Sequence, residues 1–206
     1  MYLVKTPWLL KKLYPQLTWD MPAGNKCIYL TFDDGPIPIV TPWVLNILQQ
    51  HNAKATFFCI GDNVSKHPDE FEQVKNAGHA IGNHTYNHLR GWATDDKTYL
   101  QNFLLADEQL HTNLFRPPYG RIKLSQVKLL KQHKPEIDMV MWNVVSGDFD
   151  INLKPEKCLN NVIQNTQPGD IVLFHDSIKA FGKLQYVLPR AIEYWSKEGY
   201  SFKSII

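Results

Sequence analysis

The feature that most constrains this chain is a regular alternation of short β-branched and aromatic runs with longer helical patterns. Cys27–Phe32, Ala55–Ile60, His79–Gly82, Met139–Val145 and Ile171–Phe174 read as strands, mostly bounded by Gly, Pro, Asn or Asp. A shorter strand is expected before Arg116 and a last one near Tyr200–Ile206. Helical patterns lie between them. Thr41 is placed to cap one helix, with Pro42 at its first position and Trp43, Leu45, Ile47 and Leu48 inward. Asp69–Ala77, Asp95–His111, Lys123–Gln132, Pro155–Asn165 and Leu184–Lys197 follow the same logic. Gly78 and Gly199 stop two of them, and Pro189 predicts a kink or a split in the last. Strands alternating with helices imply parallel strands joined by right-handed crossovers. About seven such strands in one α/β domain fit a small, distorted or incomplete barrel, with a doubly wound open sheet as the alternative. The chain has no GxGxxG and no GxxxxGK[ST], so a nucleotide-binding version of that sheet lacks support.

Composition narrows the class of partner. A chain of 206 residues can bury one sizeable core without disulfide staples. Its 22 basic and 20 acidic residues leave a formal charge of +2, which argues against a nucleic-acid partner. No apolar run approaches the roughly 20 residues needed to span a bilayer, so no transmembrane segment is expected. Cys27, Cys59 and Cys158 are far apart and form no CxxC pair. They read as small buried hydrophobes rather than a disulfide framework or a thiolate zinc site.

The first residues carry no legible secretory signal, because Pro7 and the Lys11-Lys12 pair interrupt the apolar stretch. That places the protein in the cytoplasm by default, with non-classical export or peripheral membrane contact kept open. Thr6 is expected to cap a short helix with Pro7 at its first position, burying Trp8, Leu9, Leu13 and Leu17. Residues 1–24 then form an extension packed on a domain of residues 25–206. The competing reading is a basic amphipathic helix lying on a membrane surface.

The placement of polar residues points to chemistry. Asp33 and Asp34 follow the run ending at Phe32, His84 follows Gly82, Arg116 follows Phe115, Asp148 follows Val145, and His175 follows Phe174. Five of the candidate strands thus each deliver an ionisable group just past their C-terminal ends, the rim where sites of parallel α/β barrels assemble. Any one of these has a plain alternative: Asp-Gly-Pro is good turn chemistry, and a histidine at a strand end is more often structural. Adjacent Asp33 and Asp34 can face different partners, one binding a metal while the other acts as a base. His84 and His88, spaced i, i+4, would lie on one side of a helical turn, close enough to hold one cation. Two His and one Asp make three ligands and leave a coordination position open, as in catalytic rather than structural zinc sites. Arg116-Pro117-Pro118-Tyr119 is a stiff loop. On the same rim as a metal site, His175 becomes a candidate general acid.

Taken together these residues resemble the polysaccharide deacetylase family with the NodB homology domain, carbohydrate esterase family 4. Thr31-Phe32-Asp33-Asp34-Gly35-Pro36 matches its first motif, His84-Thr85-Tyr86-Asn87-His88 the second, Arg116-Pro117-Pro118-Tyr119 the third and Leu173-Phe174-His175 the fifth. The matches fall in order from about Cys27 to His175. The resemblance implies a distorted (β/α)7 barrel, here α/β with an incomplete wall, and a metal-dependent hydrolase that removes acetyl groups from an N- or O-acetylated sugar polymer or oligomer. It implies Asp33 as general base and Asp34, His84 and His88 as ligands of one divalent metal ion. That ion is usually Zn2+, with Co2+, Ni2+ or Mn2+ as alternatives. Arg116 would orient Asp33, and His175 would be the general acid. Tyr119, through its backbone N–H, with Pro118 and Leu173 would meet the substrate.

The fourth motif departs from the family pattern. Where the family often has Asp-x-x-Asp-Trp, this chain has Val145-Ser146-Gly147-Asp148-Phe149. Asp148 is therefore expected within hydrogen-bond reach of His175 or Arg116, in place of a carboxylate at Val145. Two other readings stand beside deacetylation: a hydrolase of a small non-sugar amide or imide, and a catalytically inactive carbohydrate-binding barrel. Peptidoglycan, chitin-like oligomers and acetylated xylan all remain open as substrates, and a monomer is expected.

Overall fold

Strand β1 (Cys27–Asp33) carries the pattern that organises the molecule. Its Ile28, Leu30 and Phe32 join the main core cluster, and Phe32 stacks on Phe57 and Phe174 of the neighbouring strands. Because side chains alternate along a strand, Thr31 and Asp33 face the other way. Both are buried, so each face of this strand lies against protein, as parallel strands require. The computed structural model describes residues 2–23 and 26–206.

The remaining strands are β2 (Ala55–Cys59), β3 (Ala80–Asn83), β4 (Leu114–Phe115), β5 (Asp138–Met139), β6 (Val144–Val145), β7 (Ile171–His175) and β8 (Ser201–Phe202). The helices are α1 (Trp8–Leu13), α2 (Val40–Gln50), α3 (Gly61–Lys66), α4 (Pro68–Asn76), α5 (Asp96–Leu110), α6 (Leu124–His133), α7 (Pro155–Asn165) and α8 (Ile178–Lys197). The sheet runs β5-β4-β3-β2-β1-β7-β6, with β8 added at the start of β1. Every strand pair is parallel. Read as a circle, that order is the chain order, with the opening between β5 and β6. A doubly wound sheet would reverse direction at a switch point. The fold is therefore an incomplete (β/α)7 barrel, and its C-terminal strand ends form one rim.

The N-terminal segment lies along the opening. Lys5 pairs with Val144 in antiparallel fashion and Thr18 with Val140 in parallel. The Thr18 N–H donates to the Met139 carbonyl, and the Val145 N–H donates to the Val4 carbonyl. Leu17 and Trp19 sink into a cluster with Tyr99, Phe103, Phe115 and Met139.

Several local expectations are corrected. Pro7, not Thr6, occupies the N-cap of α1, and the Thr6 hydroxyl donates instead to the Trp142 carbonyl. Trp8, Leu9 and Leu13 are exposed, whereas Leu17 is buried. The strand-like residues on either side of α1 take the packing sites and leave the six-residue helix outside. Thr41 lies inside α2, whose N-cap is Ile39. The expected strand Met139–Val145 is two short strands, because residues 140–143 between them turn toward the N-terminal segment. Helix α3 follows β2 after Ile60 alone and, at six residues, is too short for a helical period to announce it. The last helix starts at Ile178 and continues through Pro189. Cys27, Cys59 and Cys158 are buried free thiols.

Candidate active site

Three adjacent strand ends supply the centre of the rim. Asp33, the last residue of β1, stands in register with His175 of β7 and Phe58 of β2. Two residues earlier, Thr31 stands in register with Leu173, which in turn pairs with Val145. The inward residues Thr31, Leu173 and Val145 therefore form a layer directly beneath Asp33 and His175.

Arg116 is fully buried and ties this layer together. Its Nη1 donates to Asp33 Oδ1 at 2.7 Å and to Thr31 Oγ1 at 2.8 Å. Nε donates to the Val140 carbonyl and Nη2 to the Met141 carbonyl. The guanidinium lies over the Phe58 ring at 4.0 Å. Held by these four bonds and fully buried, Arg116 can orient Asp33 but is not free to move to a substrate. Burial pushes the Asp33 carboxyl above the ordinary aspartate value, while Arg116 and His175 hold it back. Its second oxygen, Oδ2, faces His84 Nε2 at 3.8 Å.

Asp34, His84 and His88 converge beside it. One potential ligand atom from each lies within 4.8 Å of the other two. Asp34 Oδ1 is 3.3 Å from His88 Nε2 and 3.8 Å from His84 Nε2. His84 Nδ1 is 2.7 Å from the Arg116 carbonyl. A carbonyl only accepts, so Nδ1 carries the proton and the Nε2 lone pair faces the carboxylate. Burial pushes both imidazoles below the ordinary histidine value, so the three groups are not ion pairs. Neutral imidazoles are the form that binds metal. Asp34 Oδ1 is buried with no hydrogen-bond partner among the described residues, which is how a carboxylate oxygen stands when its partner is a cation. The donor set fits a divalent ion, and it fits zinc well.

The local backbone departs from the helical turn expected of the His-x-x-x-His spacing. Residues 84–88 form an irregular loop, with Thr85 at φ 62° and His88 at φ 54°. Asn83 Oδ1 accepts from the Thr85 N–H, and Asn102 Oδ1 accepts from the Tyr86 and Asn87 N–H groups. These side chains replace the helical bonds and still bring the two rings to 5.0 Å.

On the other side of Asp33, Asp148 is fully buried and grips His175 twice. Its Oδ1 is 2.8 Å from His175 Nδ1, and its Oδ2 accepts the His175 backbone N–H at 2.7 Å. Asp148 thus makes the contact expected of it, with His175 rather than Arg116. Burial alone would lower the His175 pKa. The Asp148 charge and hydrogen bond, joined by Asp34 and Asp33, outweigh it and raise the pKa to about 9. Phe149 stands edge-on to the His175 ring at 5.2 Å, so an aromatic wall is kept without an indole. Val145 is buried beside Leu173 and needs no carboxylate there.

Tyr119 borders the ligand cluster. It holds φ 61°, half exposes its ring, and places it 4.6 Å from the His88 ring. Pro118, the residue before it, is buried. Arg90 lies over the Tyr119 ring, and Arg121 lies over exposed Trp92. Thr31 lies within the first motif but without an assigned role, and sequence reasoning missed Asn63, Asn102 and Asp176. Among them only Asp176, adjacent to His175, stood where a signal could have been read.

The polysaccharide deacetylase family model matches residues 20–136. A peptidoglycan-N-acetylglucosamine deacetylase of Bacillus cereus is 37% identical, over 96% of this chain and 95% of that protein. A chitooligosaccharide deacetylase of Azorhizobium caulinodans is 36% identical, over 74% of this chain and 75% of that protein. A crystal structure of a peptidoglycan N-acetylglucosamine deacetylase with a bound N-oxidanyl-benzamide superposes with a TM-score of 0.88 at 30% identity. It covers 97% of this chain and 95% of that one. A mutant of a CE4 family pseudoenzyme superposes with a TM-score of 0.81 at 25% identity, over 95% of this chain and 71% of that one.

Proposed function

The chain belongs to the polysaccharide deacetylase family, and on that premise we propose that it takes the acetyl group from N-acetylglucosamine units of peptidoglycan. Removal of acetyl groups from a sugar polymer is the activity of its relatives. The finer reading, peptidoglycan and the amide of N-acetylglucosamine, is supported by a relative of that activity that matches along nearly the whole chain. One observation carries the catalytic reading: a base, three metal donors and an acid stand together on one rim, none missing. That completeness also weighs against an inactive carbohydrate-binding barrel, which the shared fold alone would not exclude.

Asp34, His84 and His88 would hold one divalent cation, Zn2+ by the character of its donors. When bound, such an ion supplies Lewis acidity toward the acetyl oxygen and the attacking water. Asp33 Oδ2 takes a proton from that water while Arg116 holds Oδ1. Water oxygen bonds to the acetyl carbon, and the carbon–nitrogen bond breaks. His175 gives its Nε2 proton to the leaving nitrogen, so acetate and a free amine result. Asp148, on Nδ1, keeps Nε2 facing the substrate. The Tyr119 backbone N–H would donate to the developing oxyanion, and Pro118 would hold that peptide in place. Leu173 would line the pocket for the acetyl methyl.

Exposed Trp92 and Tyr119 suit a sugar chain lying across the rim better than a small amide or imide enclosed in a pocket. The test is acetate release from peptidoglycan, chitin oligomers and acetylated xylan, after chelation and after readdition of Zn2+. Peptidoglycan should release acetate fastest, and only with metal. Equal release after chelation, or none from any glycan, would sink the reading.

A further inference from the structure

Asp34 holds a backbone conformation that an aspartate seldom adopts. Its φ is 82°, a left-handed value that is unfavourable for any residue with a Cβ. Four hydrogen bonds hold the peptide groups around it. The Asp33 carbonyl accepts from the Asp176 N–H at 3.0 Å, and the Gly35 carbonyl accepts from the Ile60 N–H at 2.9 Å. The Asp34 carbonyl accepts from Asn63 Nδ2 at 2.7 Å, and the Gly35 N–H donates to Asp176 Oδ1 at 3.0 Å. The last two bonds come from side chains.

Asp176 is buried, and its carboxylate does more than hold Gly35. Oδ2 accepts the Thr41 hydroxyl at 2.6 Å, and that hydroxyl accepts the Ile37 N–H at 2.8 Å. The end of β1, the start of α2 and the end of β7 therefore meet on one carboxylate. Only glycine fits at position 35, since a Cβ there would collide with that carboxylate. Neither Asn63 nor Asp176 takes part in the proton transfers described above.

We propose that Asn63 and Asp176 are positioning residues that hold Asp34 in its left-handed conformation and thereby set the affinity of the Asp34–His84–His88 site for its cation. The proposal rests on Asp34 being a ligand. Groups that orient a metal ligand typically change metal affinity or activity by about 10–100-fold when removed. A residue that merely braced the loop would lower thermal stability and leave metal affinity alone.

The experiment measures Zn2+ affinity of the full chain by competition with a chromogenic chelator, alongside the thermal midpoint of the metal-free protein. Asn63→Ala removes the donor to Asp34. Thr41→Val removes the hydroxyl from Asp176 at nearly constant volume, and Thr41→Ser restores it. Asn63→Ala and Thr41→Val should each weaken Zn2+ binding by about 10-fold or more, with Thr41→Ser close to wild type. Wild-type Zn2+ affinity in both Asn63→Ala and Thr41→Val, whatever their thermal midpoints, overturns the proposal alone. A wild-type chain that binds no Zn2+, or a His84→Ala chain that binds it normally, overturns the ligand reading and the proposal with it.

Discussion

His175 and Asp148 show how a single contact sets the chemistry of the rim. With its pKa raised to about 9, His175 is protonated at neutral pH and available as an acid. A histidine raised above its unfolded value of about 6.5 contributes stability fully below that pH, and the contribution is lost as pH rises through the folded value. Its acid function fades over the same alkaline range. Asp148→Asn removes the main favourable charge, so the alkaline limb of the kcat profile should move to lower pH, which a pH–rate series would read. An unmoved limb would mean that Asp148 does not tune His175. Asp33→Asn tests the base. Its Oδ1 can still accept from Arg116, and Asp34 is untouched, so fold and Zn2+ content should persist. Turnover should fall by about 10²–10⁴, the usual contribution of a positioned base; acetate release and metal analysis on the same sample check both halves. Asp33, Asp34, His84, His88, Arg116 and His175 were legible because ionisable groups at strand ends stand out against apolar runs. The hydrogen bonds made by Thr31 and Asn63 were not, because a hydroxyl in a strand or an amide in a polar stretch has many ordinary uses.

At the scale of elements, α8 tolerates what its sequence forbids. Pro189 lacks an N–H and cannot bond the Gln185 carbonyl, yet the helix runs unbroken from Ile178 to Lys197. Gln185 is exposed, so water can satisfy that carbonyl. On the other face Leu184, Val187, Leu188, Ala191, Ile192 and Trp195 are buried. Burial of about 1.5–3 kcal/mol per large side chain outweighs a local defect of about 3 kcal/mol. Pro189→Ala should therefore stabilise the fold, by about 2 kcal/mol once the freer unfolded chain is counted. A higher urea midpoint would show it, and a lower one would mean that the proline ring packs usefully. The loop of His84 and His88 teaches the converse. Its spacing suits a helical turn, but Asn83 and Asn102 reach in from β3 and α5 and impose an irregular path.

At the scale of the whole molecule, residues 2–20 are placed to act on the stability of the barrel. The barrel wall is open between β5 and β6, and the N-terminal segment lies along that opening. Lys5 adds an ion pair to buried Asp170 at 2.9 Å, and Trp19 enters the cluster shared with α5 and α6. Trp19→Ala should cost about 3–5 kcal/mol, lowering the thermal midpoint by about 10 °C in a domain of this size. Acetate release per folded molecule should stay near wild type, since the Trp19 indole N–H donates to the Tyr14 carbonyl and to no group of the rim. A calorimetric midpoint unchanged by the substitution would show that the segment is dispensable. Trp8, Leu9 and Leu13 are exposed, and the buried side chains of the segment are Leu17 and Trp19. No helix among the described residues is long and apolar enough to cross a membrane.

The sequence alone determined the alternation of elements, hence the parallel sheet, and the ionisable groups at its strand ends. Both are local properties: side-chain periodicity and the turn chemistry that follows a strand. Tertiary structure alone decided that the sheet curls into a circular order, and that a segment before the first strand covers its open side. It also decided that Asp148 faces His175 rather than Arg116, and that Asp176 reaches Gly35 and Thr41. Those contacts join residues 27 to 141 positions apart. No periodicity encodes them, because they depend on how strand ends from distant parts of the chain come to share one rim.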